Sequence, residues 1–234
     1  MMILGLDTSG PACSVAVTRD GALIQETVMN TALTHSETLM PAIEKVMDGA
    51  NARISDLDAI AVIAGPGSFT GVRIGMAAAK GLAWGRELPC YGVSTLEAMA
   101  LSLGVYQGYV CPCMDARRSQ VYNALFYVNR GVMERIAPDR AIALADLAEE
   151  LKKCEETVFL VGDGANLCYN TLSKTVPALV LPPEHRTHQR AVGVALLAEK
   201  KAAEGASGDA AGLTPNYLRL SQAERERAER MQNS

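Results

Sequence analysis

The stretch that most restricts the fold of this chain is residues 65–81, GPGSFTGVRIGMAAAKG. It follows residues 59–64, AIAVIA, an apolar run without the alternation of a half-exposed strand. Such a run predicts a strand buried on both faces, as in a parallel sheet covered by helices. The glycine-rich turn then leads into a helix predicted over residues 70–84. A strand, a turn and a helix in this order predict an α/β protein.

The predicted helix carries small residues along one side. They lie one above the other at helical spacing: Gly71, Gly75, and Ala78 or Ala79. Three explanations are open. The stripe lets a partner approach this helix and its neighbour closely, or it packs the helix on its own sheet, or the amides of residues 67–70 hold a phosphate. We interpret the stripe as an interface for a partner.

One order of elements occurs twice along the chain: a strand, a hairpin, a strand, a helix, a strand and a helix. The first copy begins at residue 2 and the second at residue 109, with the last hairpin strand of the second copy predicted over 132–137. We therefore divide the chain into an N-terminal lobe over 1–104, a smaller C-terminal lobe over 105–220 and a charged tail over 221–234. In the second lobe, residues 189–204 are predicted to be helical and 215–219 to be a short docked segment.

Composition limits the classes of function. Of 234 residues, 49% are hydrophobic and only 5% aromatic, which favours an α/β protein over a sandwich. The formal net charge of −4 indicates no basic face, so any role with RNA is expected to depend on a partner. No leader pattern or long apolar run is present, which predicts a cytoplasmic protein without membrane contact and with reduced cysteines. Cys111 and Cys113 lack a second pair, so no zinc site is expected.

Four segments together resemble one protein family. They are ILGLDTSGPACSVAV, AGPGSFTGVRIGMAAAKGLAW, GVSTLEAMA and MDARRSQVY. They are similar to the bacterial tRNA threonylcarbamoyladenosine biosynthesis protein TsaB family, also called YeaZ, of the actin, Hsp70 and sugar-kinase superfamily. The match is dense over residues 2–126 and thin afterwards. The resemblance implies an α/β, two-lobed, actin-like ATPase-type fold with mixed sheets and a reduced second lobe.

The resemblance also implies a function. The family member acts as a noncatalytic subunit that heterodimerises with its catalytic paralogue TsaD. Together with the small ATPase TsaE, they form N6-threonylcarbamoyladenosine at position 37 of tRNAs that read ANN codons. The resemblance therefore implies contact with tRNA through the complex and no cofactor. Whether the isolated chain is a monomer or a homodimer is left open by the sequence.

In the family, two helices of each subunit pair into a helical bundle. The resemblance therefore implies that the partner contacts a set of residues on the helices predicted over 34–49 and 70–84: Leu39, Ile43, Met47, Gly71, Arg73, Gly75, Ala78 and Ala79. For Arg73 two roles are open. It is a surface cation or braces a carboxylate of its own chain, or it crosses the interface toward the nucleotide of the partner.

The metal ligands of the catalytic paralogue are not conserved in this chain. Where the paralogue has two metal-binding histidines four residues apart, this chain has Thr95 and Met99. A hydroxyl and a thioether bind hard or borderline divalent ions poorly, so no metal and no catalytic residue are expected.

Five residues are expected near a nucleotide site by the resemblance: Asp7, Thr8, Ser9, Asp115 and Arg117. The alternative is that Asp7 and Ser9 satisfy the amides of a turn, and that Asp115 and Arg117 pair within one. Two further functions are open, an autonomous actin-like ATPase or kinase and a metallopeptidase. The substitutions at Thr95 and Met99 oppose the second.

Overall fold

The first lobe is built on a mixed sheet. The computed structural model describes residues 1–31 and 33–219. The five strands of this sheet are β1 (Met2–Asp7), β2 (Cys13–Arg19), β3 (Ala22–Met29), β4 (Ala59–Gly65) and β5 (Cys90–Ser94). Their order is β3-β2-β1-β4-β5, with β1, β2 and β3 antiparallel and β4 and β5 parallel to β1. The predicted buried strand before the glycine-rich turn is β4, which confirms the prediction.

The second sheet repeats this topology. Its strands are β6 (Gly108–Asp115), β7 (Gln120–Asn129), β8 (Val132–Ala143), β9 (Val158–Val161) and β10 (Leu179–Val180). Their order is β10-β9-β6-β7-β8. If β6 to β10 are matched with β1 to β5, this is the strand order of the first sheet in reverse. The strand β8 continues to Ala143, beyond its predicted end at residue 137, and β10 was not predicted. A strand of two residues is too short to leave an alternating pattern in the sequence.

Within the described residues, six helices accompany the sheets: α1 (His35–Gly49), α2 (Phe69–Trp84), α3 (Thr95–Leu103), α4 (Leu144–Leu151), α5 (Ala165–Leu172) and α6 (Ala191–Ala203). Short 3-10 turns occupy Ile54–Asp56 and Glu184–Arg186. The N-terminus of α1 is capped by Glu37, whose carboxylate accepts a hydrogen bond of 3.0 Å from the Thr34 amide.

Helices cover both faces of the first sheet. On β1, Leu4 and Leu6 pack in the core shared with α1 and α2, whereas Ile3 packs in the core shared with α6. Because both faces are buried, both sets of side chains must be apolar, which explains the missing alternation. The helix α3 lies between the two lobes, where Leu96 and Met99 pack with residues of the second sheet.

The C-terminal helix departs from the proposed division of the chain. Although residues 105–220 were assigned to one lobe, α6 packs on the first sheet and on α3. The Arg190 side chain also forms an ion pair with Glu26 of β3. The apolar pattern of α6 predicted a helix, but the pattern alone could not show on which lobe that helix packs. The predicted tail over 221–234 lies outside the described residues, as does position 220.

Over its described residues the chain is thus an α/β protein of two lobes, each built on a mixed sheet with the same strand order.

Candidate interlobe cleft and partner-binding face

The glycine-rich loop before α2 lies directly on the turn after β1. A Cβ atom at Gly67 would be 2.7 Å from the Ser9 carbonyl oxygen, and Gly65 adopts a φ of +113°. The Ser68 amide donates a hydrogen bond of 2.7 Å to the same Ser9 oxygen. The loop therefore needs glycine because two backbone segments touch there.

The glycine stripe of α2 faces its own sheet, which corrects its interpretation as a partner interface. A Cβ atom at Gly71 would be 2.0 Å from the Thr8 carbonyl oxygen, and one at Gly75 would be 2.4 Å from the Thr8 hydroxyl. Ala79 is fully buried in the same direction, while Ala78 is half-buried. Close packing within the chain is therefore the explanation that the structure supports for Gly71, Gly75 and Ala79.

The predicted contacts on α1 are also buried in their own lobe. Leu39, Ile43 and Met47 are 1%, 3% and 5% exposed and pack in the core under α1. Their spacing marks the face of the helix that covers the sheet, as it does for most amphipathic helices. Leu39 is therefore not available to a partner, and Ile43 and Met47 reach only the floor of a groove beside the helix.

That groove is an apolar surface feature that the sequence interpretation missed. It has a volume of about 520 Å³ and lies along α1, where Met40 and Pro41, residues 52–54 and Leu82 of α2 line it. Met40 is 51% exposed, and Trp84 at the end of α2 is 79% exposed. We define the helical face as the outer surface of α1 and α2 around this groove. The sequence signal for this groove was Met40, an apolar residue of α1 that lies outside the stripe of residues facing the sheet.

Arg73 braces its own chain. Its Nε donates a hydrogen bond of 2.8 Å to the Tyr217 hydroxyl, and its guanidinium lies 3.8 Å from the centre of the Phe69 ring. The Phe69 and Tyr217 rings stack with their centres 4.5 Å apart. Arg73 therefore braces its own chain as considered, but through a tyrosine hydroxyl and aromatic rings and not through a carboxylate.

Tyr217 belongs to a segment that runs along the first lobe after α6. We define this segment, residues 206–219, as the strap. Its Asn216 amide donates a hydrogen bond of 2.6 Å to the Ala64 carbonyl at the end of β4. The Arg219 guanidinium then reaches the Ala116 carbonyl in the second lobe. The strap is longer than the docked segment predicted over 215–219, and it joins the two lobes.

A cleft of about 510 Å³ lies between the lobes. It brings together three of the five residues expected near a nucleotide, Ser9, Asp115 and Arg117, with Phe69 and Asp163. Asp7 and Thr8 are fully buried behind the wall of the cleft and do not line it. The Thr8 hydroxyl is engaged by α2, so its expected role at a nucleotide is corrected to a structural one.

Two carboxyl groups at the cleft are desolvated: Asp7 lies behind its wall, and Asp163 lines it. Burial raises the pKa of Asp7 to about 6, although the hydrogen bonds from Ser9 oppose this shift. These bonds run from the Ser9 amide (2.9 Å) and hydroxyl (2.6 Å) to Asp7 Oδ1. Burial also raises the pKa of Asp163, which accepts a bond of 2.7 Å from the Gln189 amide group. The geometry of Asp7 and Ser9 therefore agrees with the alternative in which these residues make the hydrogen bonds of a turn.

Asp115 and Arg117 pair within their turn, as the alternative account held. The Arg117 amide donates to Asp115 Oδ1 at 2.7 Å, and the two side chains form an ion pair at 3.5 Å. Both residues nevertheless face the cleft, so the pairing leaves them available to a ligand.

Thr95 and Met99 lie in the interior. They are 0% and 1% exposed, at the start and middle of α3. Among the residues that the structure describes, no group of three or more His, Cys, Asp or Glu side chains is placed to hold a metal ion. Within the same residues, no helix is long and apolar enough to cross a membrane.

Several known proteins with similar sequences are named for threonylcarbamoyladenosine synthesis in tRNA. Residues 29–227 match the family model of TsaD, tRNA N6-adenosine threonylcarbamoyltransferase. The tRNA threonylcarbamoyladenosine biosynthesis protein TsaB of Bacillus subtilis is 35% identical and covers 96% of each chain. The protein of the same name from Escherichia coli is 40% identical over 52% of this chain and 53% of its own.

A solved structure resembles the fold over nearly its whole length. YeaZ from Pseudomonas aeruginosa superposes with a TM-score of 0.70 and 26% identity, covering 93% of this chain and 99% of that one. Since a relative above 30% identity matches over almost the entire length, the family is established. The chain belongs to the TsaB family, also called YeaZ.

Proposed function

We propose that this chain is a noncatalytic subunit required to form N6-threonylcarbamoyladenosine at position 37 of tRNAs that read ANN codons. In this proposal it binds the catalytic subunit TsaD through the helical face, and TsaE and tRNA join the complex. The chain has no cofactor of its own and works in the cytoplasm. The names of the relatives and the TsaD family model support the pathway.

The proposal of a heterodimer rests on the exposed residues of the helical face. Met40 is 51% exposed and lines an apolar groove that also includes the polar residues Glu44 and Arg53, and the 79% exposed Trp84 ends the neighbouring helix α2. An apolar patch with a polar rim is typical of protein–protein interfaces, where tryptophan often carries much of the binding free energy. Without TsaD, the same face would pair with a second copy of this chain.

The proposal that the chain is noncatalytic is supported by the positions of three residues. Thr95 and Met99 replace the ligands expected in the catalytic paralogue, and both are buried. The Asp7 carboxyl is used by the Ser9 turn behind the cleft. A carboxyl with this burial and these bonds is not placed to act on a ligand in the cleft.

The test is capture of the chain by tagged TsaD. Met40→Lys places a charge in the groove beside Glu44 without disturbing the core, and we expect it to lower the affinity by tenfold or more. Val132→Lys is the matched control, because Val132 is 69% exposed on the edge strand β8, away from the helical face. Equal capture of both variants would contradict the proposed face.

The cleft favours one alternative, an autonomous ATPase or kinase. Its volume of about 510 Å³ suits a small ligand, and Ser9 and Asp115 are polar groups at its wall. ATP turnover that follows this chain through a final sizing column, and that is lost with Asp115→Asn, would favour the alternative over the proposed function.

A further inference from the structure

Cationic and aromatic side chains surround the mouth of the interlobe cleft. Phe69 and Arg117 both line the cleft, Arg73 lies 3.8 Å over the Phe69 ring, and Tyr217 stacks on that ring. Arg219 reaches the carbonyl of Ala116, the residue before Arg117. We define the cleft-mouth cluster by these five side chains: Phe69, Arg73, Arg117, Tyr217 and Arg219. It forms only because the strap brings residues 217 and 219 to α2 and to the second lobe.

The turn that carries Arg117 is strained. Residues 117–119 have φ angles of 65°, 56° and 56°, so three consecutive residues other than glycine are left-handed. This conformation is unfavourable for residues with a Cβ atom, and such strain recurs at binding sites. The turn is held by hydrogen bonds from the Gln120 amide to the Arg117 carbonyl (3.2 Å) and from the Leu144 amide to the Ser119 carbonyl (3.1 Å). It presents the Arg117 side chain, which is 84% exposed, to solvent at the cleft mouth.

The positions of the charges distinguish a strand of RNA from a free nucleotide. The carboxyl groups of Asp115 and Asp163 line the cleft and would repel a triphosphate seated inside. Arg117 lines the cleft as well, but its side chain is 84% exposed. Arg73 donates a hydrogen bond to the hydroxyl of Tyr217, which is 40% exposed. Arginine beside an exposed aromatic ring suits the phosphates and bases of single-stranded nucleic acid.

We propose that the cleft-mouth cluster binds a single-stranded segment of RNA, with phosphates at Arg117 and Arg73 and a base against Tyr217. This inference rests on the proposed function for the source of the RNA, which is the tRNA substrate of the complex. Because the whole chain has a net charge of −4, the positive charge of the cluster is confined to a local patch. It therefore adds to the tRNA affinity of the complex and gives weak binding by itself.

The experiment measures binding of a fluorescein-labelled anticodon stem–loop RNA by anisotropy, across about 50 to 200 mM salt. Both the full chain and its complex with TsaD are titrated. We expect Arg117→Gln to weaken binding about fivefold and to reduce the slope of log affinity against log salt by about one. Arg130→Gln is the matched control, because Arg130 is an exposed arginine in the β7–β8 turn. It should leave both quantities unchanged.

Three results would overturn the inference. The first is an equal loss with Arg117→Gln and Arg130→Gln, which would indicate general electrostatic attraction. The second is displacement of the RNA by ATP in proportion to ATP occupancy, which would indicate a nucleotide site. The third is unchanged RNA binding by Arg117→Gln in both the chain and the complex. Capture of Arg117→Gln by TsaD is measured in parallel, so that loss of RNA binding with normal capture separates this inference from the heterodimer.

Discussion

The hydroxyl of Thr8 donates a hydrogen bond of 2.7 Å to the carbonyl of Gly71. This bond joins the end of β1 to the first turn of α2, and neither group is exposed to solvent. The close approach explains why the helix starts with so few large side chains. It also assigns the glycine stripe to the packing of the chain itself.

Gly71→Ala is expected to destabilise the protein. The new Cβ atom would lie 2.0 Å from the Thr8 carbonyl oxygen, so the backbone must shift, at a cost of about 1–3 kcal/mol in the free energy of unfolding. Gly81→Ala on the same helix is the control, because a Cβ atom there meets nothing within 4 Å. It should gain about 0.5–1 kcal/mol from helix propensity. Urea unfolding of both variants measures the difference, and a stable Gly71→Ala variant would restore the interface interpretation.

Gly75→Leu is expected to unfold more easily as well. A side chain at Gly75 would begin 2.4 Å from the Thr8 hydroxyl, inside the core of the lobe. The expected loss is about 3 kcal/mol or more, because an isobutyl group cannot be placed there without moving β1 or α2. Thermal unfolding without any partner is the measurement. A variant that melts like the parent but no longer binds TsaD would contradict this expectation.

Asp7→Asn is expected to stabilise the protein at neutral pH. Burial raises the pKa of Asp7 from 3.8 to about 6, so the folded chain holds the proton more tightly than the unfolded chain. Ionisation therefore lowers stability as the pH rises from about 4 to about 6, and the loss is complete above that range. Asparagine keeps an acceptor for Ser9 and removes the charge, which should add about 1–3 kcal/mol at pH 7.

The pH dependence of the free energy of unfolding tests whether ionisation of Asp7 is the cause. The gain from Asp7→Asn should disappear near pH 4, where Asp7 is protonated in both the folded and the unfolded state. Unfolding in urea at several pH values gives the curve, with the exposed carboxyl of Asp48 replaced by Asn as the control. A gain that is independent of pH would show that ionisation is not its source.

Tyr217→Ala is expected to release the strap. It removes both the ring stacked on Phe69 and the acceptor of the Arg73 hydrogen bond, whereas Tyr217→Phe removes only the acceptor. Hydrogen exchange of the Asn216 amide, which bonds to Ala64, should accelerate strongly in the first variant and little in the second. Equal exchange in both variants would show that the aromatic stack does not hold the strap.

Local patterns in the sequence determined most of the fold. The apolar run at residues 59–64 predicted β4, and the repeated order of strands and helices predicted that one architecture occurs twice. The helices α2 and α6 begin and end within two residues of their predicted bounds, 70–84 and 189–204, because periodicity and turn residues define such elements locally.

Only the tertiary structure decided what each face of a helix touches. Spacing placed Leu39, Ile43 and Met47 on one side of α1, but it could not show that this side meets the chain's own sheet. The same holds for Gly71 and Gly75, since a glycine stripe allows close approach without naming the neighbour. The strap and the cleft-mouth cluster join residues that are more than a hundred positions apart. Such contacts depend on how the two lobes and the strap pack together, and the local pattern of the sequence does not encode this packing.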